Sequence, residues 1–449
     1  MKSKSHVRLL ITLLLSAGVS TNALAQTVHA ITVQDALDLA KKNNIAVKTA
    51  KTNLQIQEQV NKSITATALP SVSGILSTTA YLATPVSVIP QGAFGGGQPA
   101  EPLTVSFTPK YNATGGVTLK QPLFDGSVFV GLKARTTALD YSSKEIDLAV
   151  ENLSVNVYKT YYQLLVSRTQ IQLLDADIAR AAKLLNDTRV MNENGFAEKL
   201  DVDKAQVQLA NLETSKQNTE TTITNGYLTL KYLIGLPVTD SVVLTTEFKE
   251  ENLTGGIPMD LQYHYEDRND FQYLQISGKL GQFDIQRYKA VYFPTVDLNA
   301  AFYKNAFNNT YDLLSRGGSW YSNSYVGITI NVPIFSGFSK NANLEKARLN
   351  YQEVTDQIEN LKQSIDLEVR QARNNFLNAI KTMNNQQENT RLAESVYNQT
   401  KKKFESGLAS NTDVTNAQTD LIQAQTNYIN ALYTSIIAKV DYLKAIGKI

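Results

Sequence analysis

Two carboxylate pairs, Asp175 with Asp177 and Asp201 with Asp203, are the residues of this chain whose type and spacing come nearest to chemistry. Paired acids can divide general-acid and general-base duty or share a divalent cation. The spacing argues against both. Residues two apart on a helix do not face each other, so these acids read as a solvated face or the lining of a pore. His29 and His264 are the only histidines beyond residue 25 and cysteine is absent, which leaves no His- or Cys-based metal centre and no disulfide framework. The run GAFGGGQP at 92–99 opens no helix and reads as a surface loop, and no zinc, nucleophile-elbow or Walker signature is present. The expectation is a protein with no catalytic residue, no metal and no cofactor.

The more informative residues form turns. NENGFAEKLDV, Asn192 to Val202, and FESGLASNTDV, Phe404 to Val414, share a Gly, an Asp-Val and similar flanks at a separation of 212 positions. Gly195 and Gly407 can take the positive φ that ends a helix, and Thr412 and Asp413 can cap the helix that follows. Phe196 and Leu408 put apolar side chains at tips that should be solvated, which favours a docking surface.

Proline outlines the elements that must hold these turns. All 11 prolines fall in clusters that leave Leu123 to Leu236 and Ile334 to Ile449 free to be helical. In the second window Leu344, Ala347, Tyr351, Val354, Ile358, Leu361, Ile365, Val369, Ala372, Phe376, Ala379 and Met383 step by three and four. One four-four slip occurs where Glu368 occupies the strict position. Sustained heptad spacing predicts coiled-coil packing. Helices over Gly126 to Glu193 and Gly337 to Glu405 would each run about 100 Å. Past its turn each is followed by a helix about half as long, Lys199 to Ile234 or Asn411 to Ile446. The missing halves are expected in Val33 to Leu69 and Leu261 to Phe293. The chain reads as a tandem repeat of short helix, strand pair, long helix, turn and short helix.

The strand pairs show period-two alternation. Val296, Leu298, Ala300 and Phe302 oppose Asp297, Asn299, Ala301 and Tyr303, and Val326, Ile328, Ile330 and Val332 oppose Tyr325, Thr329 and Asn331. The first repeat is less regular, with Val72, Leu76 and Leu82 against Ser73, Ser77 and Tyr81, and Ala113, Val117 and Leu119 against Asn112, Thr118 and Lys120. Long loops, Thr84 to Leu103 and Lys304 to Ser319, join each pair. Amphipathic strands about ten residues long suit a transmembrane barrel. Four cannot close one, because about eight are needed before the interior can hold side chains, so the barrel must be shared between chains. Tyr81, Phe107, Tyr111, Phe302, Tyr303, Trp320 and Tyr321 are candidates for interfacial girdles.

Export is readable at the N-terminus. Lys2, Lys4 and Arg8, the apolar run LLITLLLSAGV and Ala23-Leu24-Ala25 form a signal-peptide pattern, so the mature chain is expected to begin at Gln26. Without those three cations the 43 basic residues become one fewer than the 41 acidic ones, a near-neutral balance that argues against a nucleic-acid partner. Beyond residue 25 no stretch approaches about eighteen consecutive apolar residues, so contact with a bilayer would fall to the strands.

The expected organisation is a signal peptide at 1–25, a first short helical segment at 26–70, a first β-hairpin at 71–123 with an external loop at 84–103, and a first long helical hairpin at 124–235 with its tip near 192–200. A linker at 236–260 leads to a second short helical segment at 261–294. A second β-hairpin follows at 295–333 with an external loop at 304–319, then a second long helical hairpin at 334–449 with its tip near 404–412.

ITVQDALDLAKKNNIAVKTAKTNLQIQEQVNKSITATALPSVSG (31–74) resembles the first segment of the TolC-type outer-membrane efflux proteins, and EDRNDFQYLQISGKLGQFDIQRYKAVYFPTVDL (266–298) resembles the second copy. QPLFDG (121–126) against VPIFSG (332–337) and the two Gly turns extend the likeness over essentially the whole mature chain. The resemblance implies an α+β membrane protein, a homotrimer in which twelve strands close one barrel in the outer membrane and twelve helices form a periplasmic tunnel. It implies a passive exit duct, contacting outer-membrane lipid and loaded by a periplasmic adaptor (membrane fusion protein) and an inner-membrane pump of RND or ABC type. In the family the Gly turns meet the adaptor, which here designates Asn194, Gly195, Phe196, Ser406, Gly407 and Leu408. Family channels can carry an acidic ring of two Asp three residues apart after the second turn. Here the first position is Asp413, the second is Asn416, and an Arg that latches the aperture in some relatives is Ala409. Asp201, with Lys204 three residues on, holds the matching place in the first repeat. Asp is also favoured at helix caps, so both roles stay open for Asp201 and Asp413. The alternative is an exported structural coiled-coil surface protein or adhesin, which would not need strand pairs placed symmetrically between rods.

Overall fold

The computed structural model describes residues 28–90, 103–246, 263–312 and 319–449. The signal-peptide pattern, the GAFGGGQP run, most of the 236–260 linker and the middle of the 304–319 loop lie outside them. The elements are β1 (Val28–Ile31), α1 (Val33–Asn43), α2 (Ile45–Ala66), β2 (Ser71–Ala80), β3 (Ser87–Ile89), β4 (Leu103–Val105), β5 (Tyr111–Phe124), α3 (Gly126–Glu193), α4 (Lys199–Ile234), β6 (Ser241–Leu244), α5 (Asn269–Ala290), β7 (Thr295–Asn308), β8 (Trp320–Asn331), α6 (Ser339–Glu405) and α7 (Asn411–Ala445), with a short 3-10 turn at Tyr265–Asp267.

The chain divides into two compact units, one formed by Met1–Thr49, Ile146–Arg268 and Ser364–Ile449, the other by Ala50–Glu145 and Asn269–Gln363. In the first unit, helix packing follows the apolar stripe. Ile365, Val369, Ala372, Phe376, Ala379 and Met383 of α6 are all buried, while Leu367 and Leu392 off the stripe are exposed. Phe376 stacks on Tyr442 of α7 with ring centroids 6.0 Å apart. The four-four slip has a chemical reason. Glu368 accepts from the buried Arg268 guanidinium at 2.7 Å, and Arg268 also donates to the Ala445 carbonyl near the end of α7. Asn44 does the equivalent job in the first repeat, its side-chain amide donating to the Leu233 carbonyl near the end of α4 while its oxygen accepts from the Ala46 amide. Carbonyls at helix ends have no intrahelical partner, so each repeat borrows a polar side chain from its own beginning to close its last helix.

Several boundaries differ from the sequence reading. The segment 26–70 is not helical throughout. Val28–Ile31 is a strand pairing in parallel with Ser241–Leu244 of the 236–260 linker, and Asn44, extended in its backbone, separates two helices. The pair was hidden because four-residue strands carry too little alternation to register against a helical pattern. In the second short segment the helix begins only at Asn269, after an extended Arg268.

In the second unit β2, β5, β7 and β8 form one antiparallel sheet in that order, with β2 and β8 at its edges. Lys304 to Asn308 belong to β7 and not to the loop, since Asn305 and Ala306 pair with Tyr321 and Trp320. Tyr81 and Leu82 lie past the end of β2, and the 84–103 loop holds the small β3–β4 pair. Phe302 and Tyr303 sit within β7 instead of at its end, so the girdle assignment does not fit them.

Register settles the faces, because directly opposed residues of an antiparallel pair project the same way. Val72, Leu119, Ala300 and Val326 form one cross-strand row, and Gln121, Leu298 and Ile328 another on the same face. The opposite face is polar. Lys120 and Asp297 are 3.2 Å apart, Thr114 donates to Asn305, and Asn299 donates to Thr329. The apolar face is exposed, as at Val72, Leu76, Val326, Ile328 and Ile330.

Candidate functional site

The two Gly turns are built alike. Where α3 ends, the Phe196 amide donates to the Met191 carbonyl at 2.8 Å and the Gly195 amide to Asn192 at 2.9 Å. Where α6 ends, Leu408 donates to Lys403 at 2.8 Å and Gly407 to Phe404 at 2.9 Å. This double bond pattern is the Schellman motif, which needs a left-handed residue at its hinge. Gly195 and Gly407 supply it with φ of +82° and +73°. Nothing crowds either glycine, so conformation alone demands the residue type. Phe196 and Leu408, one step beyond, are 81% and 80% exposed.

Side chains brace the turns differently. Asn192 donates to the Ala197 carbonyl and Asn194 to Val190 in the first, while Ser406 donates from its hydroxyl to Lys402 in the second. Helix α7 begins with a full capping box. Ser410 is the cap, its hydroxyl accepting from the Asp413 amide, and the Asp413 carboxylate accepts from the Ser410 amide at 2.9 Å. The caps expected at Thr412 and Asp413 are therefore displaced by one role: Ser410 caps and Asp413 answers it from the third helical position. The Ser410 amide and hydroxyl hold the Asp413 carboxyl below its ordinary range. Glu198, the residue before α4, makes no side-chain cap, and Asp201 stands at the position equivalent to Asp413. Asp201 is half-buried, whereas Lys204, Asp413 and Asn416 are exposed.

Behind the turns the first unit ties its helices together. Leu184 of α3, Tyr397 of α6, and Val414, Ala417 and Leu421 of α7 form one apolar cluster. Thr188 of α3, fully buried, is 3.1 Å from the Asn411 side-chain oxygen on α7. Three of the four acids in the carboxylate pairs of the sequence reading form separate ion pairs. Asp175 meets Lys216 of α4 at 2.7 Å, and Asp203 meets Lys199 at 3.6 Å. Asp177 pairs with Arg180 and is buried, contrary to the solvated face expected of it. Burial pushes its carboxyl above the ordinary range despite the opposing pull of Arg180. The Arg180 guanidinium also lies 6.0 Å from the Tyr397 ring, a partner on another helix that spacing along the chain could not reveal. Among the described residues no group of His, Cys, Asp and Glu could hold a metal ion, and no helix is long and apolar enough to cross a membrane.

A polar cluster lies beyond sequence reading as well. The Tyr263 and Tyr265 hydroxyls donate to the same Asp366 oxygen at 2.6 and 2.9 Å. They depress the Asp366 carboxyl, while burial and that carboxylate push the Tyr263 phenol up to about 12.

The outer membrane efflux protein family profile matches residues 36–236 and 266–448. The chain is 22% identical to the outer membrane protein TolC of Vibrio cholerae over 334 residues, spanning 74% of this chain and 76% of that one. It is 21% identical to the proteases secretion protein PrtF of Dickeya chrysanthemi over 327 residues, spanning 72% and 70%. The CmeC outer membrane channel of Campylobacter jejuni superposes with a TM-score of 0.75 at 18% identity, covering 93% of this chain and 85% of that one.

Proposed function

The chain belongs to the outer membrane efflux protein family, and from that premise we propose that it is a passive, trimeric exit duct of a tripartite efflux or type I secretion system. Its place is the outer membrane. The observation that carries the shared barrel is the four-stranded sheet: one face is apolar and exposed, and each edge strand pairs on one side only; the number three is taken from the family. Open edges and an exposed apolar face are costly unless covered. Three copies, edge β8 to edge β2, supply twelve strands, above the roughly eight a barrel needs. Lipid covers the apolar face and the polar face lines the lumen. Light scattering of the detergent-extracted protein is expected to give three times the chain mass. A monodisperse monomer with intact strand content would refute the shared barrel.

The two turns are the proposed seat of a periplasmic adaptor, through Asn194, Gly195, Phe196, Ser406, Gly407 and Leu408, with an inner-membrane pump of RND or ABC type behind it. Exposure of Phe196 and Leu408 at matching points of the two repeats supports this reading. Asp201, Lys204, Asp413 and Asn416 are the proposed aperture. Three chains would place up to six carboxylates around a narrow opening, partly offset by Lys204, which favours cations modestly.

A further inference from the structure

At the helix end of the sheet lies a second exposed apolar surface, and the register shows how it is made. The alternating run Val326, Ile328, Ile330 continues past Asn331, the last paired residue of β8, into Val332 and then Ile334, which is 94% exposed. Phe335, 77% exposed, and Phe338 follow with rings 5.6 Å apart and nearly perpendicular. Phe338 has a φ of +63°, the only non-glycine positive φ among the described residues. On β5 a bulge makes Leu123 the extra residue: Pro122 opposes Asp297 and Phe124 opposes Val296. Phe124 is thereby carried onto the apolar face, with its ring 5.7 Å from that of Phe129. The segment Val291 to Phe293, also exposed, joins the two. Gly126 packs against Ala290, and the Lys340 ammonium donates to the Val291 carbonyl at 2.9 Å while standing 5.7 Å from the Tyr292 ring.

Two cations of this surface, Lys340 and Lys289, lack a carboxylate partner among the described residues, whereas Arg287 is held by Asp284 at 3.0 Å. Lys340 sits in the first turn of α6, where the helix dipole disfavours a cation unless an anion lies nearby. A surface continuous with the apolar sheet face, rich in aromatic rings and edged with two ammonium groups that lack a carboxylate partner, matches the boundary between acyl chains and phosphates.

We propose that this collar seats an anionic phospholipid, its phosphodiester held by Lys340 and Lys289 and its acyl chains lying along Phe124, Ile334, Phe335 and Phe338. The inference rests on the reading that the apolar face of the sheet meets lipid. Trp320 is the sole tryptophan, which permits a direct test in the full chain reconstituted into vesicles. In a Trp320→Phe, Phe335→Trp variant, phosphatidylglycerol brominated near the headgroup should quench fluorescence more strongly than phosphatidylcholine brominated at the same position and mole fraction. Lys289→Gln and Lys340→Gln should each lower that preference about fivefold. Ile334→Trp reads the same seat should Phe335→Trp fail to assemble. Equal quenching by the two lipids, or a preference retained in the double lysine variant, overturns the anionic seat. Absent quenching in the Phe335→Trp variant, with Trp320 of the unsubstituted chain still quenched, means that protein covers the collar, and it overturns the inference while the membrane sheet stands. If neither the variant nor the unsubstituted chain is quenched, the membrane reading fails too.

Discussion

Acid residues of the same type have opposite roles here, and the difference is local. Asp413 in its capping box is held below the ordinary carboxylate range, so its contribution to stability is present above the unfolded value and is lost as pH falls through the depressed folded one. Asp177, raised by burial, contributes most below its unfolded value and loses that contribution as pH rises through the raised folded one. The box also lets capping be tested apart from the proposed aperture role. Ser410→Ala removes the cap but keeps the Asp413 charge, so it should weaken the start of α7 by about 1 kcal/mol, seen as faster hydrogen exchange at the 411–413 amides, without changing ion selectivity. Asp413→Asn should reduce cation selectivity in planar bilayers. Unchanged selectivity in the Asp201→Asn, Asp413→Asn pair would leave these residues as helix-start acids only.

At the scale of elements, the long helices were legible because heptad repetition and absence of proline are local signals summed over many residues. α3 and α4 occupy the spans read from sequence, and α6 starts two residues later than expected, after Gly337 and Phe338 take positive φ. The stripe is also where stability concentrates. Phe376 is fully buried against Tyr442, and Phe376→Ala should cost about 3–5 kcal/mol, measured as a drop in the helix melting temperature. Leu392→Ala, on the exposed side, should shift the same transition far less. An equal loss at both positions would mean that α6 packs against more than its own chain. Short strands β1 and β6 are not legible in the sequence, because each is four residues long and only their parallel pairing across more than two hundred positions makes them strands.

At the scale of the whole molecule, internal repetition places the two Gly turns at matching points of the two repeats. Two equivalent turns present Phe196 and Leu408, and a docking partner that reads both would lose its grip if both became charged. Phe196→Asp with Leu408→Asp is expected to abolish export while trimer mass and membrane insertion stay intact, because neither side chain packs into a core. Export that survives this double change would move the adaptor seat elsewhere.

The sequence alone determined the repeat, the long helices, the Gly turns and the two-faced strands, since each is written in residue types a few positions apart. Tertiary structure decided what depends on partners far along the chain. It set the order β2, β5, β7, β8, in which the middle pairing joins the two repeats. It gave Glu368 to Arg268 and Asp366 to two tyrosines, and it drew Asp177 out of solvent. Periodicity specifies which face of an element is apolar, but the hydrogen bonds and ion pairs that choose its neighbour form only when distant segments meet.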